Sequence, residues 1–136
     1  MNLSKNVKVA CVKAGQAAGT TAVNSDAIDM TNYDGCLFFA SIATANAGNY
    51  LVVEQSDDIT FATKSVLEGT KVVTANDGEV ALVDVYRPLE KQGKYLRASI
   101  VRTASTATGC IYAIQYDGRV KPEDIGALAI SPGASV

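Results

Sequence analysis

The stretch Val80–Arg102, VALVDVYRPLEKQGKYLRASIVR, most limits what this chain can become. It is two apolar runs around a short polar loop, and neither run carries a stripe at helical spacing. In the first run Val80, Leu82 and Asp84 fall on one side of an extended chain, and Ala81, Val83 and Val85 on the other. In the second, Leu96, Ala98 and Ile100 face one way while Arg97, Ser99 and Val101 face the other. Such alternation marks strands with at least one buried face. Pro88 has no N–H to give to a ladder, so the first strand ends near it, and Gly93 helps the chain turn. The two runs read as a β-hairpin.

The same period recurs along the chain. Val7–Lys13 alternates Val7, Val9 and Cys11 against Lys8, Ala10 and Val12. Thr20–Val23 and Ala27–Met30 are short strand candidates around Asn24-Ser25-Asp26, a turn composition. Cys36–Ala43, CLFFASIA, reads as the central strand, and Tyr50–Gln55, Val72–Thr74 and Gly109–Tyr116 follow the pattern. Ser56-Asp57-Asp58 opens a turn before Ile59–Ala62, and Asp77-Gly78 closes another. Ala14–Ala18 and Ala104–Thr108 read as loops. The expectation is an all-β sandwich or barrel of about seven to nine short antiparallel strands.

The pattern stops after Tyr116. Residues 1–6 read as an N-terminal arm, 7–116 as the β domain and 117–136 as an extended C-terminal arm. The second arm holds two of the three prolines yet carries an apolar patch, IGALAI, with Ile125, Leu128 and Ile130. Apolar residues in an otherwise coreless segment suggest docking, on a neighbouring subunit or on the chain's own domain.

Composition narrows the functions. With 136 residues and 48% hydrophobic content, one domain with a real core is expected. Net charge is −2, with both signs mixed and no Lys/Arg cluster, so nucleic acid is not an expected partner. No apolar run approaches the roughly 20 residues that cross a bilayer as a helix, and the N-terminus lacks the apolar core of a secretory signal. There is no histidine, which removes the commonest general acid/base and the commonest transition-metal ligand. No CxxC pair suggests zinc, and no Gly-rich phosphate loop precedes a Lys-Ser/Thr. No cofactor and no enzymatic activity are expected. Cys11, Cys36 and Cys110 lie in apolar runs and read as buried reduced thiols. Phe38, Phe39 and Phe61 read as core. Glu54, Asp57 and Asp58 are close enough in sequence to suggest a cation, but without an ion-binding loop spacing they read better as a plain turn.

Several segments, taken in order, resemble a family of small structural proteins of tailed bacteriophages, the head decoration or cement proteins. They are Thr20–Val23, Ile28-Asp29-Met30, Tyr33-Asp34-Gly35-Cys36-Leu37-Phe38, Glu54-Gln55-Ser56-Asp57-Asp58, Leu82-Val83-Asp84-Val85-Tyr86-Arg87-Pro88, Lys94-Tyr95-Leu96-Arg97-Ala98 and Gly109–Tyr116. The resemblance implies a β-rich virion protein with no catalytic motif. It implies a homotrimer at local threefold positions on the capsid surface, with the major capsid protein as partner. Tail-tube, neck and head–tail joining proteins share this size and β character and remain alternatives. A carbohydrate-binding module ranks lower, because the chain has no Trp.

The interface candidates are Tyr86, Arg87, Tyr95 and Arg97, which flank the loop between the two apolar runs, together with Ile125, Leu128 and Ile130 of the arm. Tyr and Arg are enriched at the energetic centres of interfaces. Their competing role is local: tyrosines covering the end of the domain, arginines paired with Asp84 or Glu90.

Overall fold

A computed structural model describes residues 7–86 and 94–118, and every element within them is a strand or a turn. The twelve strands are β1 (Val7–Lys13), β2 (Gln16–Gly19), β3 (Val23–Asn24), β4 (Ile28–Asp29), β5 (Tyr33–Ser41), β6 (Asn49–Ser56), β7 (Ser65–Val66), β8 (Val72–Val73), β9 (Val80–Tyr86), β10 (Tyr95–Arg102), β11 (Thr106–Thr108) and β12 (Ile111–Gly118). Seven have four residues or more; the other five are pieces of two or three. All pairings are antiparallel. The all-β expectation holds.

The strands form two principal sheets. The first has the order β1-β12-β5-β9. In the second, β10 and β6 pair over eight residues at the centre. Short strands flank that centre, β3 and β4 on β10, β7 and β8 on β6. Its edges are thus broken into two-residue pieces, which present little free ladder to another chain. A two-stranded ribbon of β2 and β11 completes the domain.

The inward rows explain the packing. Cys36, Phe38 and Ala40 of β5, Ala81, Val83 and Val85 of β9, and Ile111 and Ala113 of β12 supply one wall. Leu51 and Val53 of β6 and Leu96, Ala98 and Ile100 of β10 supply the other. These residues join one buried cluster, so the domain is a sandwich. Ala10 and Val12 of β1 face that core, and the strand's register shifts between Cys11 and Lys13.

The hairpin expected from Val80–Arg102 does not form. β9 pairs with β5 in the first sheet, whereas β10 pairs with β6 in the second. The alternation itself is correct, since Ala81, Val83 and Val85 are buried and so are Leu96, Ala98 and Ile100. Two inward rows meet as well across a core as along a sheet, and periodicity alone cannot distinguish the two. The ribbon is a second departure, because both its strands fall in segments that read as loops. Gln16–Gly19 and Thr106–Thr108 are too small and too short to show a pattern.

Ile59–Ala62 is a turn rather than a strand, and Phe61 in it takes φ +56°. Its ring is nonetheless buried. The arm 1–6, the segment 87–93 and residues 119–136 lie outside the described residues.

Candidate interaction surface

The outward face of the first sheet is unusually apolar. Its pairing registers place side chains of one parity in rows across four strands. One row is Cys11, Tyr112, Phe39 and Leu82. The next is Val9, Ile114, Leu37 and Asp84. A third joins Tyr116, Gly35 and Tyr86, and Val80 stands beside Ser41 at the opposite end. Leu82 and Val80 are 53% and 55% exposed, Tyr86 is 52% exposed, and Val9 and Tyr112 are exposed as well. Leu37, Phe39 and Ile114 are half-buried beside them. In the first two rows Asp84 is the one charged side chain.

Aromatic contacts hold the face rigid. Phe39 and Tyr112 stack with ring centroids 5.3 Å apart. Tyr86 and Tyr116 stack nearly parallel at 6.0 Å. Tyr116 lies across Gly35: a Cβ at that glycine would stand 2.2 Å from the ring. The absent side chain thus lets the ring lie flat and reach the Asp84 carboxylate, to which its hydroxyl donates. Burial first, and then this bond, push the Tyr116 phenol well above its ordinary pKa. The neighbouring Tyr112 phenol is raised too, chiefly by its interaction with Cys110.

Strand geometry gives this face roughly 300–400 Å², from four strands about 4.8 Å apart and about 20 Å long. Apolar patches of that size on single chains are commonly functional. A flat sheet face of stacked rings and aliphatic side chains is suited to docking on protein.

The opposite outer face, on the second sheet, is closed by its own chain. Glu54 and Arg97 are cross-strand partners, with Arg97 Nε donating to Glu54 Oε1 at 2.7 Å. Lys64 Nζ approaches Glu54 Oε2 at 3.3 Å. The Arg97 guanidinium also lies 4.5 Å from the centre of the Phe61 ring. Residues 57–64 thus form a strap across the sheet, tied by further bonds. Ser56 Oγ accepts from the Asp58 N–H, Asp57 Oδ1 accepts from the Lys94 N–H at 3.2 Å, and Asp58 Oδ1 accepts from the Thr60 N–H. The Thr60 N–H, and then its hydroxyl, hold Asp58 below the usual carboxylate range. The open groove beside the strap, between Gln55, Asp57, Asp58 and Lys64, is lined by polar and charged residues. No cluster of three or more potential metal ligands occurs among the described residues.

The interface candidates therefore separate. Tyr86 stands on the edge strand of the apolar face, exposed. Tyr95 and Arg97 stand on the other sheet, half-buried, with Lys94 Nζ 5.3 Å from the centre of the Tyr95 ring. Arg97 pairs with Glu54, and Glu90 lies outside the described residues. Arg87, Ile125, Leu128 and Ile130 lie outside the described residues. Sequence reading missed Val9, Cys11, Leu37, Phe39, Leu82, Tyr112 and Ile114 as a surface. Phe39 belongs to this face and not to the core, because its neighbours Phe38 and Ala40 take the inward positions. Cys11 is exposed and Cys110 half-buried; only Cys36 is a buried thiol. Ala10 and Val12 take the inward parity of β1, which leaves Val9 and Cys11 on the outer side. One signal was present: CLFFASIA is apolar at both parities, as in a strand covered on both faces.

No protein-family model matches the chain, and no curated protein matches it.

Proposed function

We propose that this chain is a non-enzymatic virion structural protein, a capsid decoration or cement protein. It binds the outer surface of the major capsid shell and stabilises it, as a homotrimer at local threefold positions. The proposal takes its family from the ordered segments running from Thr20 to Tyr116. The observation that supports it is the apolar outer face of the β1-β12-β5-β9 sheet, a surface whose chemistry suits docking on protein.

The mechanism is mechanical. A cement protein adds buried area between neighbouring shell subunits, and several attachments per trimer sum to tight binding when they engage together. That requires a stiff domain with protein-binding surfaces. The sandwich core and stacked rings meet the first requirement, and the apolar face meets the second.

The test is to add purified protein to shells that lack it. Saturable binding with a raised temperature of shell disruption is expected. Shells equally stable with and without the protein would exclude a cementing role.

A further inference from the structure

We propose that residues 125–130, IGALAI, of a neighbouring copy cover the apolar outer face of the first sheet, so that copies are joined by exchanged C-terminal arms. This rests on the assembly reading above and names the contact that builds the oligomer.

Position is the first argument. β12 is an interior strand of this sheet, and it ends at Gly118, beyond the Tyr116–Gly35–Tyr86 row. The segment that follows therefore starts at the border of the apolar face. Six residues separate Gly118 from Ile125, and the seven steps reach up to about 23 Å when extended, which is comparable with the length of the face.

Charge is the second. All four charged residues of 119–136, namely Arg119, Lys121, Glu123 and Asp124, precede Ile125. From Ile125 to Val136 there is none. The rows Cys11–Tyr112–Phe39–Leu82 and Val9–Ile114–Leu37–Asp84 carry a single charge, at Asp84, and its carboxylate already accepts from Tyr116. An uncharged apolar segment covers the apolar rows without adding an ion, provided it leaves Asp84, on the edge strand, open to solvent.

Area is the third. Two such faces packed on each other would bury roughly 600–800 Å², below the approximately 1,200 Å² of stable interfaces. An inserted arm adds its own surface and brings its spacer into contact, so exchange comes closer to what a stable oligomer needs. Direction favours a neighbour over the same chain. β12 runs to the end of the sheet at Gly118. Returning to its own face would require a full reversal within 119–124. Passed from copy to copy around a ring, arms satisfy every face and close the assembly.

Cys11 lies within the face and serves as a native probe. In a Cys110→Ser background, Leu128→Cys is introduced into the full chain and mildly oxidised. Covalent dimers and trimers on a non-reducing gel are expected. An intrachain disulfide, or no cross-link, would overturn the exchange. A second full-length variant, Ile125→Ser with Leu128→Ser and Ile130→Ser, is expected to lose the trimer in light scattering and to expose Cys11 to a thiol reagent. Retention of the trimer with Cys11 still protected would overturn the inference too. A trimer that cross-links but never binds shells would defeat the decoration reading and leave the arm exchange standing. Leu128→Cys protein that binds shells without any interchain cross-link would do the reverse.

Discussion

Arg102 shows how one side chain can hold a loop system together. It is buried at the end of β10, and its partners are backbone carbonyls rather than a carboxylate: Nε donates to Thr21 O at 2.6 Å, and one terminal nitrogen donates to Ala17 O at 2.9 Å and Thr106 O at 2.8 Å. Two of these carbonyls belong to the β2–β11 ribbon, so one guanidinium docks it on the second sheet. Arg102→Met keeps the stem and removes the donors. It should cost about 1–3 kcal/mol through carbonyls left unsatisfied. Arg102→Lys should recover little, since an ammonium lacks the planar fork. Urea unfolding of both variants checks this; a Lys variant of wild-type stability would remove the fork geometry from the explanation. Tyr116 makes a pH-dependent case. Its phenol is held above the unfolded value of 10.0, so the folded state keeps a proton that the unfolded state releases. The stability this contributes is complete below about pH 10 and is lost as pH rises toward the higher folded value. Tyr116→Phe cannot ionise. The stability difference between wild type and Tyr116→Phe should therefore shrink from pH 9 to pH 11, and a constant difference would refute the linkage.

At the level of elements, the strap 57–64 and the β9–β10 crossing mark where sequence was and was not legible. Alternation revealed β5, β6, β9, β10 and β12 and their inward rows, because each buries a large apolar side chain at every second position. It could not reveal that β9 and β10 part company, since the same inward rows serve a hairpin or a crossing between sheets. It also missed the ribbon, whose strands have too few large residues to make a period. The strap was missed because its anchor is a tertiary contact: Phe61 covers Arg97, which is 36 residues away in sequence. That contact outweighs a left-handed backbone at Phe61, a conformation costing of order 1 kcal/mol for a side chain of this kind. Phe61→Ala should cost about 3 kcal/mol, the low end for deleting a buried Phe, because the ring packs on the outside of one sheet. Phe61→Asn loses the same ring but tolerates the left-handed region, so it should be the less damaging of the two. Equal losses in thermal unfolding would show that strain has no share in the balance.

The molecule as a whole divides its apolar residues between two tasks, and this makes folding and assembly separable. The core side chains are buried in one cluster, whereas Val80 and Leu82 stand more than half exposed on the outer face. An exposed side chain has little burial to lose, so substitutions there usually change stability by no more than about 0.5 kcal/mol. Leu82→Glu on β9 should therefore leave the urea midpoint close to wild type. Its carboxylate would point outward beside Phe39, at the end of the row that continues to Tyr112 and Cys11, where an apolar partner could not cover it without desolvating the charge. The same variant should then fail to assemble, giving monomer mass in solution at concentrations where the wild type is oligomeric. Val83→Glu, one residue on, reverses the pattern. Its side chain points into the core, and the charge should prevent folding. The adjacent pair thus carries opposite predictions, decided by the parity of one strand. A Leu82→Glu protein that assembles normally would show that this face is not where copies meet, however apolar it is.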